Sequence, residues 1–132
     1  MIAVSKDMET GVGMIDSQHR ELIDRINAVV SMGVKSFSAE ETQKTIDLLG
    51  GYITKHFGDE EKLQAQSGYP KSEWHKEQHQ AYINGFEKLK KEFEGNGYSA
   101  KFTIGLNDSI IKWIVQHIKS ADVEFGKFYN AK

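Results

Sequence analysis

Every histidine of this chain falls on or beside the apolar stripe of a helical pattern. There are five in 132 residues: His19, His56, His75, His79 and His117. The first pattern starts near Asp16, an acceptable N-cap, and carries Ile15, Leu22, Ile23, Ile26, Val29 and Val30 on one face. Gly33 to Ser38 reads as a loop. Ser38-Ala39-Glu40-Glu41 is a capping box that opens a second helix, through Ile46, Leu49, Ile53 and Phe57 to about Ala65. Ser67-Gly68-Tyr69-Pro70 stops it. A third helix begins near Ser72 and runs through Tyr82, Phe86, Leu89 and Phe93 to Gly95-Asn96-Gly97. A fourth runs from about Lys101 through Leu106, Ile110, Trp113 and Ile114 to His117, and Asp122 to Tyr129 adds a short helical tail.

Four amphipathic helices joined by short loops, with a single proline in the whole chain, predict an all-α fold. The expected architecture is an up-down-up-down antiparallel four-helix bundle with a short N-terminal arm and a short C-terminal helical tail. Residues 1–132 read as one domain, since a domain usually takes about 100–200 residues. The formal net charge of −2 lacks the basic excess of a nucleic-acid binder. The absence of cysteine excludes disulfides, thiolate metal sites and thiol nucleophiles. No targeting segment and no membrane-spanning apolar run is visible, so a cytoplasmic protein without membrane contact is expected.

The chemistry lies in the spacing of the histidines. His75 and His79 are four apart and share one helical face, which lets two imidazoles bind one metal. His56 and Glu60 repeat that spacing with an imidazole and a carboxylate. His117 and Asp122 are five apart, and on a regular α-helix they point about 140° away from each other. They converge only if the helix breaks or bulges between them. His19 stands alone on the first helix among Ile15, Leu22 and Ile23. Four apolar faces meet in a bundle core, so five imidazoles and at least two carboxylates converge there. That is a heavy desolvation load unless a metal cluster removes it. If Glu60 and Asp122 each bridge two octahedral metals, the five imidazoles and one solvent-derived oxo or hydroxo bridge fill all but one of the remaining positions. Mixed imidazole–carboxylate ligation suits iron, whereas zinc usually takes only four ligands. A pair of non-haem irons is the expected cofactor. Asp59 and Glu61 compete with Glu60 as ligands, but only Glu60 has the favourable relation to His56.

These residues resemble the hemerythrin family, and more closely its stand-alone bacterial members. The resemblance spans nearly the whole chain. It rests on Gly11-Val12, Ile15-Asp16-Ser17-Gln18-His19, His56-Phe57-Gly58-Asp59-Glu60-Glu61, Gly68-Tyr69-Pro70, His75-Lys76-Glu77-Gln78-His79 and Trp113-Ile114-Val115-Gln116-His117-Ile118-Lys119-Ser120-Ala121-Asp122. It implies that His75, His79 and His117 bind one iron, that His19 and His56 bind a second iron with an open position, and that Glu60 and Asp122 bridge. It further implies O2 binding at the open position, in a dry pocket lined by Leu22, Phe57, Trp113 and Ile114. Many family members carry a tryptophan upstream of the Gly-Val pair, at the position of Val4 here.

The expected function is reversible O2 binding for storage, transport or delivery, without enzymatic turnover. NO or small anions are further candidates for the open iron. The competing readings are an O2, NO or redox sensor acting through a separate partner, and a di-iron peroxidase or NO-handling enzyme. The histidine-rich donor set argues against the oxygen-activating chemistry of carboxylate-rich di-iron bundles.

Overall fold

The computed structural model describes residues 2–35 and 38–131. Helix α1 (Gly13–Lys35), α2 (Ala39–Ser67) and α3 (Ser72–Asn96) are joined by short connections. The fourth rod spans residues 100–130 without interruption. It is built of α4 (Ala100–Gly105), a π segment (Leu106–Lys112), α5 (Trp113–His117), a second π segment (Ile118–Asp122) and α6 (Val123–Asn130). Helix α1 packs on α2, α2 on α3, and α3 on the fourth rod, which is the expected antiparallel bundle. No strand occurs among the described residues, and no helix is long and apolar enough to cross a membrane.

Each boundary has a local cause. Ser38 caps α2: its hydroxyl accepts from the Glu41 amide at 3.1 Å and donates to the Glu41 carboxylate at 3.1 Å. Helix α2 runs two residues beyond the expected end. It stops at Gly68, which adopts a left-handed φ of 73° and passes its amide to Ala65 and Gln64. Helix α1 starts at Gly13, before the expected Asp16. The Asp16 carboxylate turns back instead and accepts from the Thr10 amide at 2.8 Å, the Thr10 hydroxyl at 2.7 Å and the Gly11 amide at 3.1 Å. It thereby clamps the N-terminal arm. The expected loop from Gly33 begins later, because α1 continues to Lys35; Ser36 and Phe37 lie outside the described residues. The fourth helix does not end at His117 with a separate tail. The π segments let one continuous rod change its angular phase twice, so no break is needed.

The arm lies along the bundle. Asn27 on α1 exchanges two hydrogen bonds with the Ile2 backbone, at 2.9 and 2.8 Å. Near the C-terminus, a side chain at Gly126 would overlap the Thr10 carbonyl, so glycine permits the arm to close on α6. Val4 is exposed. Between α2 and α3, Gly50 admits the Phe86 ring, which would stand 2.7 Å from an added Cβ. Gly51 faces open space and makes no such contact. The main apolar cluster, including Leu22, Ile26, Leu49, Phe57, Tyr82, Ile110, Ile114 and Ile118, fills the bundle interior.

Candidate metal centre

The buried polar side chains gather inside this apolar frame. His19 projects from α1, His56 and Glu60 from α2, and His75 and His79 from α3. His117 and Asp122 come from the fourth rod. All seven are buried, with exposures of 3% or less. The second π segment explains the last pair. The Val123 amide bonds to the Ile118 carbonyl five residues back, and this wider turn brings Asp122 under His117. Asp122 Oδ1 lies 3.1 Å from His117 Nε2 and 2.8 Å from His75 Nε2, and Oδ2 lies 2.9 Å from His19 Nε2. Glu60 Oε1 lies 3.1 Å from His75 Nε2 and 3.0 Å from His79 Nε2.

These donors form two overlapping groups. Glu60, His75, His79, His117 and Asp122 make one; His19, His56, Glu60 and Asp122 make the other, with the ligand atoms of each group within 4.8 Å of one another. Both carboxylates are common to the two groups.

The donor chemistry fits a cation. His56 Nδ1 lies 2.7 Å from Gln18 Oε1, His79 Nδ1 2.8 Å from Glu61 Oε2, and His117 Nδ1 3.1 Å from Gln78 Oε1. Each of these oxygens can only accept, so each Nδ1 carries a hydrogen, and in the neutral ring each Nε2 presents a lone pair to the interior. Those lone pairs face carboxylate oxygens, which also have only lone pairs to offer. Accordingly His56 Nε2, His79 Nε2 and both oxygens of Glu60 and Asp122 have no hydrogen-bond partner. Acceptors turned on acceptors in a dry core are costly unless a cation sits between them. Gln64 is fully buried, its amide nitrogen is 2.9 Å from His75 Nδ1, and its Oε1 is unpartnered. Exchanging the two amide ends would give His75 the same kind of acceptor.

The electrostatics carry the same strain. Burial pushes His56 down to about 4. Burial also opposes the charged form of His75, but its contacts with Asp122 and Glu60 outweigh it and raise the imidazole to about 9. Burial of Asp122 is likewise overcome by His117, His19 and His75, which hold its carboxyl well below the usual range.

The residues matched by the family model of the hemerythrin HHE cation binding domain are 10–128. The chain belongs to the hemerythrin family. It is 29% identical to a bacteriohemerythrin of Clostridium acetobutylicum, over 95% of this chain and 98% of that protein. It is 28% identical to a bacteriohemerythrin of Stenotrophomonas maltophilia, over 91% and 76%. A crystal structure of wild-type hemerythrin superposes with a TM-score of 0.84 at 25% identity, covering 98% and 97% of the two chains. Non-haem iron binding comes with the family, and the buried cluster supplies donors suited to it.

Within this hemerythrin domain, two of the expected pocket residues, Phe57 and Trp113, stack on imidazoles of the cluster, and the other two, Leu22 and Ile114, are buried. Phe57 stacks on His79 with centroids 3.8 Å apart and rings parallel to 1°. Leu22, one turn after His19, and Ile114, one turn before His117, are fully buried. Trp113 is half-buried; it stacks on His117 at 4.7 Å and opens on shallow depressions beside Gln78 and Gln116. Asp59 and Glu61, the competing carboxylates, take outer places. Asp59 bonds Gln18 at 2.9 Å, and Glu61 bonds His79. Sequence reasoning missed the glutamines that hold the imidazoles, and it missed buried Ile118. Gln64 carried a signal: it continues the stripe of His56 and Glu60 at helical spacing, a polar residue where an apolar one is expected.

Proposed function

We propose that this chain binds O2 reversibly at a pair of non-haem irons, for oxygen storage, transport or delivery, rather than turning over a substrate. The observation that carries the reading is the inequality of the two donor groups: three imidazoles in one and two in the other, around shared carboxylates. His75, His79 and His117 would hold one iron, and His19 and His56 the other, which is left a ligand short and open to a small molecule. Glu60 and Asp122 would bridge. When bound, the iron pair would supply the binding position and the electrons for O2.

The protein does the rest. The Nδ1 partners fix His56, His79 and His117 with lone pairs inward, so the donors are oriented before metal arrives. Leu22, Phe57, Ile114 and Ile118, with Trp113 stacked outside His117, would exclude water from the open position. The histidine-rich set favours binding over oxygen activation, for which di-iron bundles use Glu-x-x-His pairs and more carboxylates. O2 is the proposed partner; NO and small anions suit the same position.

The test is iron per chain together with the visible spectrum through reduction, O2 admission and O2 removal. Two irons and a charge-transfer band that comes and goes with O2 are expected. An irreversible change on O2 would point to a sensor or an enzyme. A chain that takes no iron after anaerobic reconstitution would end the di-iron reading.

A further inference from the structure

Three of the five imidazoles give Nδ1–H to a side-chain oxygen, a fourth lies against an amide nitrogen, and three of these four neighbours are neutral amides. Gln18 serves His56, Gln64 serves His75 and Gln78 serves His117. Glu61 is the exception. Its Oε2 lies 2.8 Å from His79 Nδ1, while His79 Nε2 faces the interior, 3.0 Å from Glu60 Oε1. The Phe57 ring stacked on His79 holds the imidazole in plane. The Glu61 side chain is 25% exposed and that of His79 is 1% exposed. A negative charge at the rim is therefore coupled to the interior through a single ring. Asp59, the other nearby carboxylate, reaches His56 only through the Gln18 amide and is itself paired with Lys55 at 3.0 Å. His19 Nδ1 is buried and has no partner.

We infer that Glu61 is a positioning residue whose charge acts through His79, making that imidazole the strongest donor of the set and favouring the higher oxidation state of the metal it holds. The inference rests on the proposed iron site. An imidazole whose Nδ1–H is given to a carboxylate is more basic at Nε2 than one given to an amide. A more basic donor stabilises the more highly charged ion. The charge falls on the donor group that already has three imidazoles. The group of His19 and His56 receives only the neutral Gln18. The two halves of the centre are thus unequal in donor strength as well as in ligand number, and the fuller half is the easier to oxidise. A purely orienting role would be served equally well by a glutamine, as it is at His56 and His117.

The experiment compares Glu61→Gln, Glu61→Asp and Glu61→Ala with the wild type. Iron per chain and the midpoint potential are measured on loaded protein, and Zn2+ affinity by chelator competition on metal-free protein. The Gln variant keeps an acceptor and loses the charge. It is expected to hold two irons at a raised potential and to bind Zn2+ ~10-fold more weakly. The Asp variant should return both values toward wild type. A Gln variant indistinguishable from wild type, with only Ala displaced, would overturn the inference and reduce Glu61 to an orienting group. If the Gln variant takes no iron, the zinc competition decides: affinity lost with Gln and recovered with Asp supports the charge, and equal loss in both overturns it. Wild-type protein that takes zinc but no iron would defeat the di-iron reading while the zinc comparison still judges Glu61.

Discussion

At the scale of single residues, the centre is a set of side chains that are individually unfavourable where they stand. Glu60 is fully buried, with both oxygens unpartnered and two imidazole nitrogens about 3 Å from one of them. It belongs to both donor groups, whereas His117 belongs to one. Removing either should therefore have different consequences. Glu60→Ala takes a donor from both metals and should abolish the pair. His117→Ala takes one donor from the fuller group and leaves His19, His56 and both carboxylates in place. Metal binding should weaken by at least ~10-fold in each, judging from losses at merely outer-shell partners. Iron per chain after anaerobic reconstitution checks this. Full iron content in both variants would show that the donors have been wrongly assigned.

At the scale of elements, the second π segment carries the site. On a regular helix each residue turns the chain by about 100°, so Asp122 would point away from His117. Inserting an alanine after Ser120, which is exposed and whose hydroxyl donates to the Gln116 carbonyl one turn back, would swing Asp122 about 100° away from His117. Helix content by circular dichroism should stay near wild type while iron binding is lost, because Asp122 leaves its place between His19, His75 and His117. Retained iron would mean that the rod absorbs the extra residue in a wider bulge. This element also marks how far the sequence was legible. The five-residue separation of His117 and Asp122 demanded a bulge, and the bulge is there, since two donors five apart on one rod cannot meet otherwise. The other π segment, Leu106–Lys112, left no comparable mark, because its residues carry no chemistry that fixes their angular position. The seven donors were legible because each is polar on an apolar stripe. Gln18 and Gln78 were not, because a glutamine beside a histidine looks like ordinary helix surface until the neighbouring helix is in place. The start of α1 was misplaced for a related reason. Asp16 looks like a cap for its own helix, but its carboxylate is taken by the arm, a contact that depends on where Thr10 is brought.

For the whole molecule, the same buried groups set how stability depends on pH when metal is absent. His75 has a folded value of about 9 against an ordinary 6.5, so the protonated ring is favoured by folding. Its contribution is complete below about pH 6.5 and is lost as pH rises through 9. His19 is also raised: burial opposes the charge, and Asp122 overcomes it. It acts in the same direction. His56 behaves in the opposite way. Burial lowers it to about 4, so folding excludes its charged form, and stability is lost as pH falls from about 6.5 toward 4. Asp122 is held low by its imidazoles despite burial, and it adds to the acid-side loss. The metal-free chain should therefore melt at its highest temperature near pH 6.5 and lose stability on both sides. Iron changes this balance, because it needs the imidazoles deprotonated at Nε2. Loading at pH 7 must displace the proton held by His75, and apparent affinity should rise with pH between 7 and 9. Bound metal also stabilises the fold by mass action, by about 2.7 kcal/mol when free metal is at 100 times its dissociation constant. Thermal melts of metal-free and loaded protein from pH 4 to 9 separate these effects. The metal-free series should peak in the middle, and the gap between the two series should widen toward alkaline pH. Coincident melts across the range would mean that iron contributes nothing to folding and that the buried cluster is stable unaided.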